Sequence, residues 1–81
     1  MKVRVQFFSH LKDIAGPTEL ELDLETGVSV AELLAQLYER FPRLREWDSN
    51  ILVGAGVEFV DRDYIVQPGD DIAMMPPVQG G

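Results

Sequence analysis

Residues 29–41 read SVAELLAQLYERF, and they predict the main helix of this chain. Ser29 and Glu32 have the spacing of a capping box, in which each side chain accepts a hydrogen bond from a backbone N–H at the start of a helix. Pro42 should end the helix, because the residue before a proline disfavours helical backbone angles. The apolar residues recur every three or four positions and form one stripe: Val30, Leu33, Leu34, Leu37, Tyr38 and Phe41.

Two strands are predicted before this helix. Apolar and polar residues alternate over residues 3–7 and again over residues 20–24, which is typical of strands with one buried face. Between them, Ser9 is expected to cap a short helical turn over residues 10–15, which Gly16 and the following proline should close.

Two or three short strands are predicted after the helix. Residues 43–50 should form an irregular connection, in which Trp47 packs against the core. Gly54-Ala55-Gly56 should interrupt a strand, since glycine in a strand indicates a bulge, a turn or a close backbone approach. Gln67-Pro68-Gly69-Asp70 is typical of a type II turn. The predicted strands cover residues 51–53, 57–60 and 72–75.

This order of elements predicts an α+β fold. After a hairpin, a right-handed helical crossover usually brings the next strand parallel to one already present. The single helix then covers one face of a mixed sheet of four to five strands, and the ubiquitin-like β-grasp is the commonest fold with this order and size. We expect a β-grasp domain over residues 1–75 and an extended, flexible tail over residues 76–81.

Length and composition narrow the classes of function. The 81 residues allow one domain with a modest core, and the absence of cysteine leaves no thiol nucleophile and no zinc-cysteine site. A net charge of −7 argues against nucleic acid as a partner, because phosphate binding needs a basic face. The N-terminal sequence is unlike a signal peptide and no apolar run is long enough to span a membrane, so we expect a cytoplasmic protein.

The side chains give little support for conventional catalysis. His10 is the only histidine, and it is expected to be an ordinary solvated residue. Asp61 with Asp63, and Asp70 with Asp71, lie in predicted turns, where aspartate is favoured for its local hydrogen bonds. We therefore predict no metal site and no bound cofactor.

The C-terminal tail, PPVQGG over residues 76–81, carries no charged side chain. Pro76 and Pro77 favour an extended polyproline backbone, and the glycines have no side chains to obstruct a narrow channel. Fully extended, the tail would reach about 20 Å at roughly 3.3 Å per residue. The terminal carboxylate is thus suited to delivery into an active site on another protein, although a Gly-Gly end alone is also compatible with a frayed terminus.

Three apolar residues should lie on the sheet face away from the helix. Side chains alternate along a strand, so Phe8 should point away from Phe7, and Met75 away from Met74. With Phe59 they would form a docking patch for a partner. Two alternatives are a different strand register and a cover formed by residues 43–50.

The sequence resembles the sulfur-carrier family of ubiquitin-like proteins over nearly its whole length. Its ending, Pro-Pro-Val-x-Gly-Gly, is more similar to the small subunit of molybdopterin synthase than to the thiamine sulfur carrier. The sequence departs from the family pattern at Gly56, where asparagine is frequent, and at Met75, where phenylalanine is frequent. The segments that carry the resemblance are the helix from Ser29 and residues 3–8, 57–60, 69–73 and 74–81.

The resemblance implies a chemistry for Gly81. In that family an E1-like activating enzyme uses ATP to adenylate the terminal carboxylate, which then becomes a thiocarboxylate with sulfur from a donor protein. The tail enters the large subunit of molybdopterin synthase and gives its sulfur to cyclic pyranopterin monophosphate, in molybdenum cofactor biosynthesis. The chain would be a non-catalytic carrier. Its implied partner-binding residues are Phe8, Phe59, Met75, Pro76, Pro77, Val78, Gln79 and Gly80.

Three other functions are compatible with the same sequence. The chain could carry sulfur for thiamine, cysteine or tRNA thiolation. It could be a ubiquitin-like modifier joined to lysines through Gly81. It could also be a β-grasp interaction module whose tail is incidental.

Overall fold

The structure is a computed structural model, which describes residues 1–77 of the chain. Within these residues five strands form one mixed sheet in the order β2-β1-β5-β3-β4. The elements are β1 (Lys2–Phe7), α1 (His10–Ala15), β2 (Glu19–Asp23), α2 (Val30–Arg40), a 3-10 helix (Pro42–Asn50), β3 (Leu52–Ala55), β4 (Glu58–Val60) and β5 (Asp71–Met75).

The strand pairing confirms the predicted mixed sheet. β1 pairs with β2 in antiparallel orientation and with β5 in parallel orientation, and β5 also pairs antiparallel with β3. The parallel partner of β1 is therefore the last strand, rather than the strand that directly follows α2. β3 follows α2 in the chain and lies on the far side of β5, where it is hydrogen-bonded to neither strand of the first hairpin.

The capping box fixes the start of α2 as predicted. The Ser29 hydroxyl accepts a hydrogen bond from the Glu32 backbone N–H at 3.2 Å, and the Glu32 carboxylate accepts one from the Ser29 backbone N–H at 3.0 Å. The helix ends at Arg40, shortly before Pro42. Its apolar stripe is buried, and each fully buried leucine contributes about 1.5–3 kcal/mol. The buried residues of α2 are Val30, Leu33, Leu34, Leu37 and Tyr38.

The core lies between α2 and the two central strands. In the parallel pair Val5 lies opposite Ile72, and Phe7 lies opposite Met74. All four side chains are at most 1% exposed, so the first and last strands supply one continuous apolar layer for the helix. The last strand is consequently held by core packing as well as by its hydrogen bonds.

Two local predictions were wrong, and a third holds only at Gly56. Ser9 does not cap α1, because its backbone has a φ of 55° and its side chain makes no capping hydrogen bond. Residues 42–50 form a regular 3-10 helix, which Pro42 starts with its fixed φ and Leu44 anchors in the core. Gly54 does not interrupt β3, where it pairs with Phe59 and Ala73 inside the sheet. The chain reverses at Gly56 instead, where φ is 64°.

Removal of the Ser29 hydroxyl should destabilise the domain through α2. We expect Ser29→Ala to lower the free energy of unfolding by about 1 kcal/mol, the usual cost of a lost N-cap. Urea denaturation followed by circular dichroism measures this difference. Ser49→Ala, at an exposed serine of the 3-10 helix, is the matched control and should change stability by less than about 0.5 kcal/mol. Equal effects of the two substitutions would contradict a role for the capping box.

Candidate functional site

The tail leaves the fold from the end of β5, between β1 and β3. Met75 is the last residue of the strand and lies opposite Leu52 of β3, while the Phe8 N–H donates to the Met74 carbonyl at 3.0 Å. Pro76 and Pro77 have no backbone N–H, so neither can donate a further hydrogen bond to a neighbouring strand. The sheet therefore releases the chain at Pro76 from a position fixed on both sides.

Four of the predicted site residues, Val78, Gln79, Gly80 and Gly81, lie outside the described residues. The carboxylate chemistry of Gly81 and the flexibility of the tail over residues 76–81 stay predictions. Pro76 and Pro77 are described, and both are half-buried at the end of β5.

An apolar groove lies on the open face of the sheet, next to the tail exit. Phe8 is 45% exposed and Phe59 is 69% exposed, while Met75 is half-buried between them. Their predicted orientation is confirmed, and their role in partner binding stays a prediction. The groove has a volume of about 230 Å³ and is lined by Phe8, Gly54, Gly56, Val57, Glu58, Phe59, Ala73 and Met75.

The 3-10 helix does not cover this groove. Its residues pack against α1 and α2, on the opposite face of the sheet. The alternative in which residues 43–50 bury the apolar patch is therefore wrong, because Leu44 draws that segment into the core on the helix side.

Gly54 forms the floor of the groove. A Cβ atom there would lie 3.4 Å from Met75 Cε and 3.5 Å from the Glu58 carbonyl oxygen. A larger side chain would occupy the space between Met75 and Phe59, so glycine keeps the groove open. The sequence had indicated a close backbone approach as one of three explanations for glycine in this strand.

The open face carries charged side chains at the end remote from the tail exit. Arg4 lies 3.7 Å from the Glu19 carboxylate and 3.8 Å from that of Asp71, and Lys2 lies 3.8 Å from Glu21. All these side chains are more than half exposed, so the pairs add little stability. They do divide the face into a charged half remote from the tail exit and an apolar half beside it, which gives a partner one preferred orientation.

A polar cluster on the other side of the molecule holds the 3-10 helix in place. The Asp48 carboxylate accepts hydrogen bonds from the Tyr38 hydroxyl and from Arg62 Nη1. Arg62 Nη2 also donates to the backbone carbonyls of Asp48 and Ile51, at 2.6 and 3.2 Å. Burial, together with the hydrogen bond to Asp48, raises the pKa of Tyr38 to about 12. Sequence reasoning missed this cluster, because no local pattern joins its members.

The predicted turn aspartates have structural uses. Asp61 accepts a hydrogen bond from the Asp63 N–H at 2.9 Å, and Asp70 accepts from the Tyr64 hydroxyl and the Gln67 N–H at 2.8 and 2.9 Å. In the part of the chain that the structure describes, no group of three or more potential metal ligands comes together, and no helix is long and apolar enough to cross a membrane.

A mixed five-stranded sheet covered on one face by one main helix defines a ubiquitin-like β-grasp protein. Residues 5–81 match the ThiS family, and the chain therefore belongs to that family.

Known relatives match the chain over its full length. The molybdopterin synthase sulfur carrier subunit of Arabidopsis thaliana is 28% identical over 81 residues, which are 100% of this chain and 84% of the relative. The solved structure of SAMP1, a small archaeal modifier protein from Haloferax volcanii, has a TM-score of 0.86 and 25% identity and covers 100% of both chains. The complex of subunits 1 and 2 of the molybdopterin-converting factor from Helicobacter pylori contains a chain with a TM-score of 0.74 and 28% identity, again with 100% coverage of both.

The raised pKa of Tyr38 should appear in the pH dependence of stability. The phenol ionises near pH 10 in the unfolded chain and near pH 12 in the folded one, so its contribution is complete below pH 10 and is lost as pH rises toward 12. Denaturant titrations from pH 9 to 12 should show a steeper loss of stability for the wild type than for Tyr38→Phe. Parallel curves would mean that the pKa of Tyr38 is not raised in the folded chain.

Proposed function

We propose that this chain is the sulfur carrier subunit of molybdopterin synthase and carries sulfur as a thiocarboxylate on Gly81. One structural observation carries the proposal: β5, anchored between two strands, ends beside an exposed apolar groove and continues into a sequence that ends in Gly80-Gly81. Membership of the ThiS family and full-length similarity to subunits of that name support it.

Activation converts a poor electrophile into a good one. An oxygen of the Gly81 carboxylate attacks the α-phosphorus of ATP on an activating enzyme, and pyrophosphate leaves. Hydrosulfide delivered by a donor protein then attacks the carbonyl carbon, AMP departs as the leaving group, and loss of a proton leaves a thiocarboxylate on Gly81. Because the chain has no cysteine, the carried sulfur is bonded to the terminal carbonyl carbon itself.

Delivery depends on a larger partner. The tail enters the active site of the large synthase subunit, which supplies the acid–base and oxyanion-stabilising groups for sulfur transfer to cyclic pyranopterin monophosphate. The apolar groove beside the tail exit is the docking surface for that subunit, since exposed aromatic residues such as Phe8 and Phe59 are typical binding anchors. The carrier itself binds no cofactor, and its activation places it in the ATP-containing cytoplasm.

A protein-modifier function is the second candidate, and the similarity to SAMP1 favours it. The same adenylated carboxylate would then be attacked by a lysine amine and would form an isopeptide bond. Sulfur carriage for thiamine, cysteine or tRNA thiolation differs only in the final acceptor.

Intact-mass spectrometry distinguishes these functions. After incubation with an activating enzyme, ATP and a sulfur donor, the chain should gain about 16 Da, the difference between sulfur and oxygen. Deletion of Gly81 should abolish this gain and the transfer of sulfur, with a change in stability below about 0.5 kcal/mol. Isopeptide adducts on partner lysines would favour the modifier function, and normal sulfur transfer by the truncated chain would overturn the proposal.

Charge in the apolar groove should weaken partner binding. We expect Phe8→Asp or Met75→Asp to raise the Kd for the large synthase subunit at least tenfold, or about 1.4 kcal/mol. Isothermal titration calorimetry measures the affinity, and thermal unfolding reports the effect on the fold.

Ile65→Asp is the matched control for the groove. Ile65 is 45% exposed, as Phe8 is, but does not line the groove. Its substitution should leave the affinity within about twofold of the wild type, while adding the same charge. Unchanged affinity of Phe8→Asp, with a lowered melting temperature, would contradict the docking assignment.

A further inference from the structure

A hollow of about 500 Å³ lies beside Pro76 and Pro77, which we call the root of the tail. It lies on the side away from the apolar groove. Met75 lines the groove, whereas the next two residues, Pro76 and Pro77, line the hollow. The tail therefore leaves the domain along the boundary between two different surfaces. The other residues that line the hollow are Ser9, His10, Trp47 and Asn50.

The sheet topology brings these residues to the tail. β1 runs parallel to β5, so the residues that follow β1, Ser9 and His10, lie beside the end of β5. β3 runs antiparallel to β5, so the residues that precede β3, at the end of the 3-10 helix, lie on the other flank. The root of the tail thus has an α1 residue on one side and the 3-10 helix on the other.

Two aromatic rings join these flanks. The imidazole of His10 stacks on the indole of Trp47, with ring centroids 6.5 Å apart and an angle of 27° between the ring planes. His10 is exposed, as the sequence predicted, but its contact with Trp47 was not foreseen. Both rings line the hollow that Pro76 and Pro77 also line.

The backbone angles of Ser9 support a functional use of the turn between β1 and α1. Ser9 is the one described residue other than glycine with a positive φ, and it combines a φ of 55° with a ψ of −131°, backbone angles that L side chains rarely adopt. This conformation turns the chain sharply from β1 into α1 and places His10 beside Trp47. Strained residues concentrate at sites where a particular geometry serves function.

We propose that His10 and Trp47 are positioning residues for the tail. Proline-rich segments of polyproline conformation bind to surfaces lined by aromatic rings, and Pro76-Pro77 has its own aromatic wall within the same chain. Contact with these two rings would hold Pro76 and Pro77 at the hollow, so that the chain leaves the end of β5 in one preferred direction. A restricted root raises the effective concentration of the terminal carboxylate at the partner's active site.

The direction of the tail can be measured without any partner. The chain has no cysteine, so a single introduced thiol accepts one spin label. We place it at Glu58→Cys, beside the groove, or at Glu46→Cys, on the exposed side of the 3-10 helix. The two labels should broaden the Gly80 and Gly81 amide signals to different extents, because a restricted root gives the tail a preferred direction. We call the difference in broadening between the two labels the label contrast. It should disappear when His10 or Trp47 is replaced by alanine.

The kinetic test rests on the proposed function and separates positioning from folding. In thiocarboxylation assays with the activating enzyme, His10→Ala should raise the KM for the chain about three- to tenfold and leave kcat within about twofold, because the chemistry is unchanged once the tail is inserted. His10→Phe, which retains a ring to stack on Trp47, should restore the KM.

Lys12→Ala is the matched control, at an exposed residue of α1 that does not line the hollow. It should leave both the KM and the label contrast unchanged. His10→Ala should also shift the emission of Trp47, the only tryptophan, whereas Lys12→Ala should not.

The outcomes distinguish the two proposals. If the wild type gains no sulfur, the proposed function fails, while the label contrast still tests the positioning. If the wild type gains sulfur and His10→Ala retains both its KM and its label contrast, the positioning role is overturned. If Trp47→Ala fails to fold, the comparison of His10→Ala with His10→Phe tests the positioning role on its own. Both variants should fold, because the exposed His10 contributes little to the core.

Discussion

β5 is hydrogen-bonded on both sides, in parallel to β1 and in antiparallel to β3. This pairing unites the N-terminal hairpin with the strands that follow α2, because β1 and β3 do not pair with each other. Ile72 and Met74 point from β5 into the core, and Ala73 and Met75 point to the open face. One strand thus completes the apolar layer under the helix, contributes to the groove and fixes the origin of the tail.

The two faces of the sheet differ because of this arrangement: one is covered by helices and the other is open. The helix face is closed by α1, α2 and the 3-10 helix, and the Asp48–Arg62 contacts hold the last of these in place. The open face has no such cover among residues 1–77, and its apolar half adjoins the tail exit. A partner that buries this groove brings its own active site close to the tail. Binding energy gained at the groove can therefore serve to orient the chain that follows β5.

The sequence predicted those elements whose signals are local. The capping box at Ser29 and Glu32, the alternation along β1 and the Pro68-Gly69 turn each depend on residues close in the chain, and the structure confirms them. The local prediction at Ser9 failed where tertiary context overrode local preference, and the break predicted at Gly54-Ala55-Gly56 holds only at Gly56. Serine favours N-caps, but the turn from β1 into α1 gives Ser9 a positive φ. At Gly54 the strand continues, and a Cβ atom there would contact Met75 Cε.

By itself, the sequence determined the helix, the inward and outward residues of the central strands, and a charge-free tail that ends in two glycines. These properties follow from periodicity and side-chain chemistry, which need no knowledge of distant contacts. Only the tertiary structure decided that Gly54 lies in one groove with the predicted patch residues, and that His10 meets Trp47 beside Pro76. Both depend on which strands become neighbours, and strand order is set by the burial of a common core, a property of the whole chain rather than of any segment.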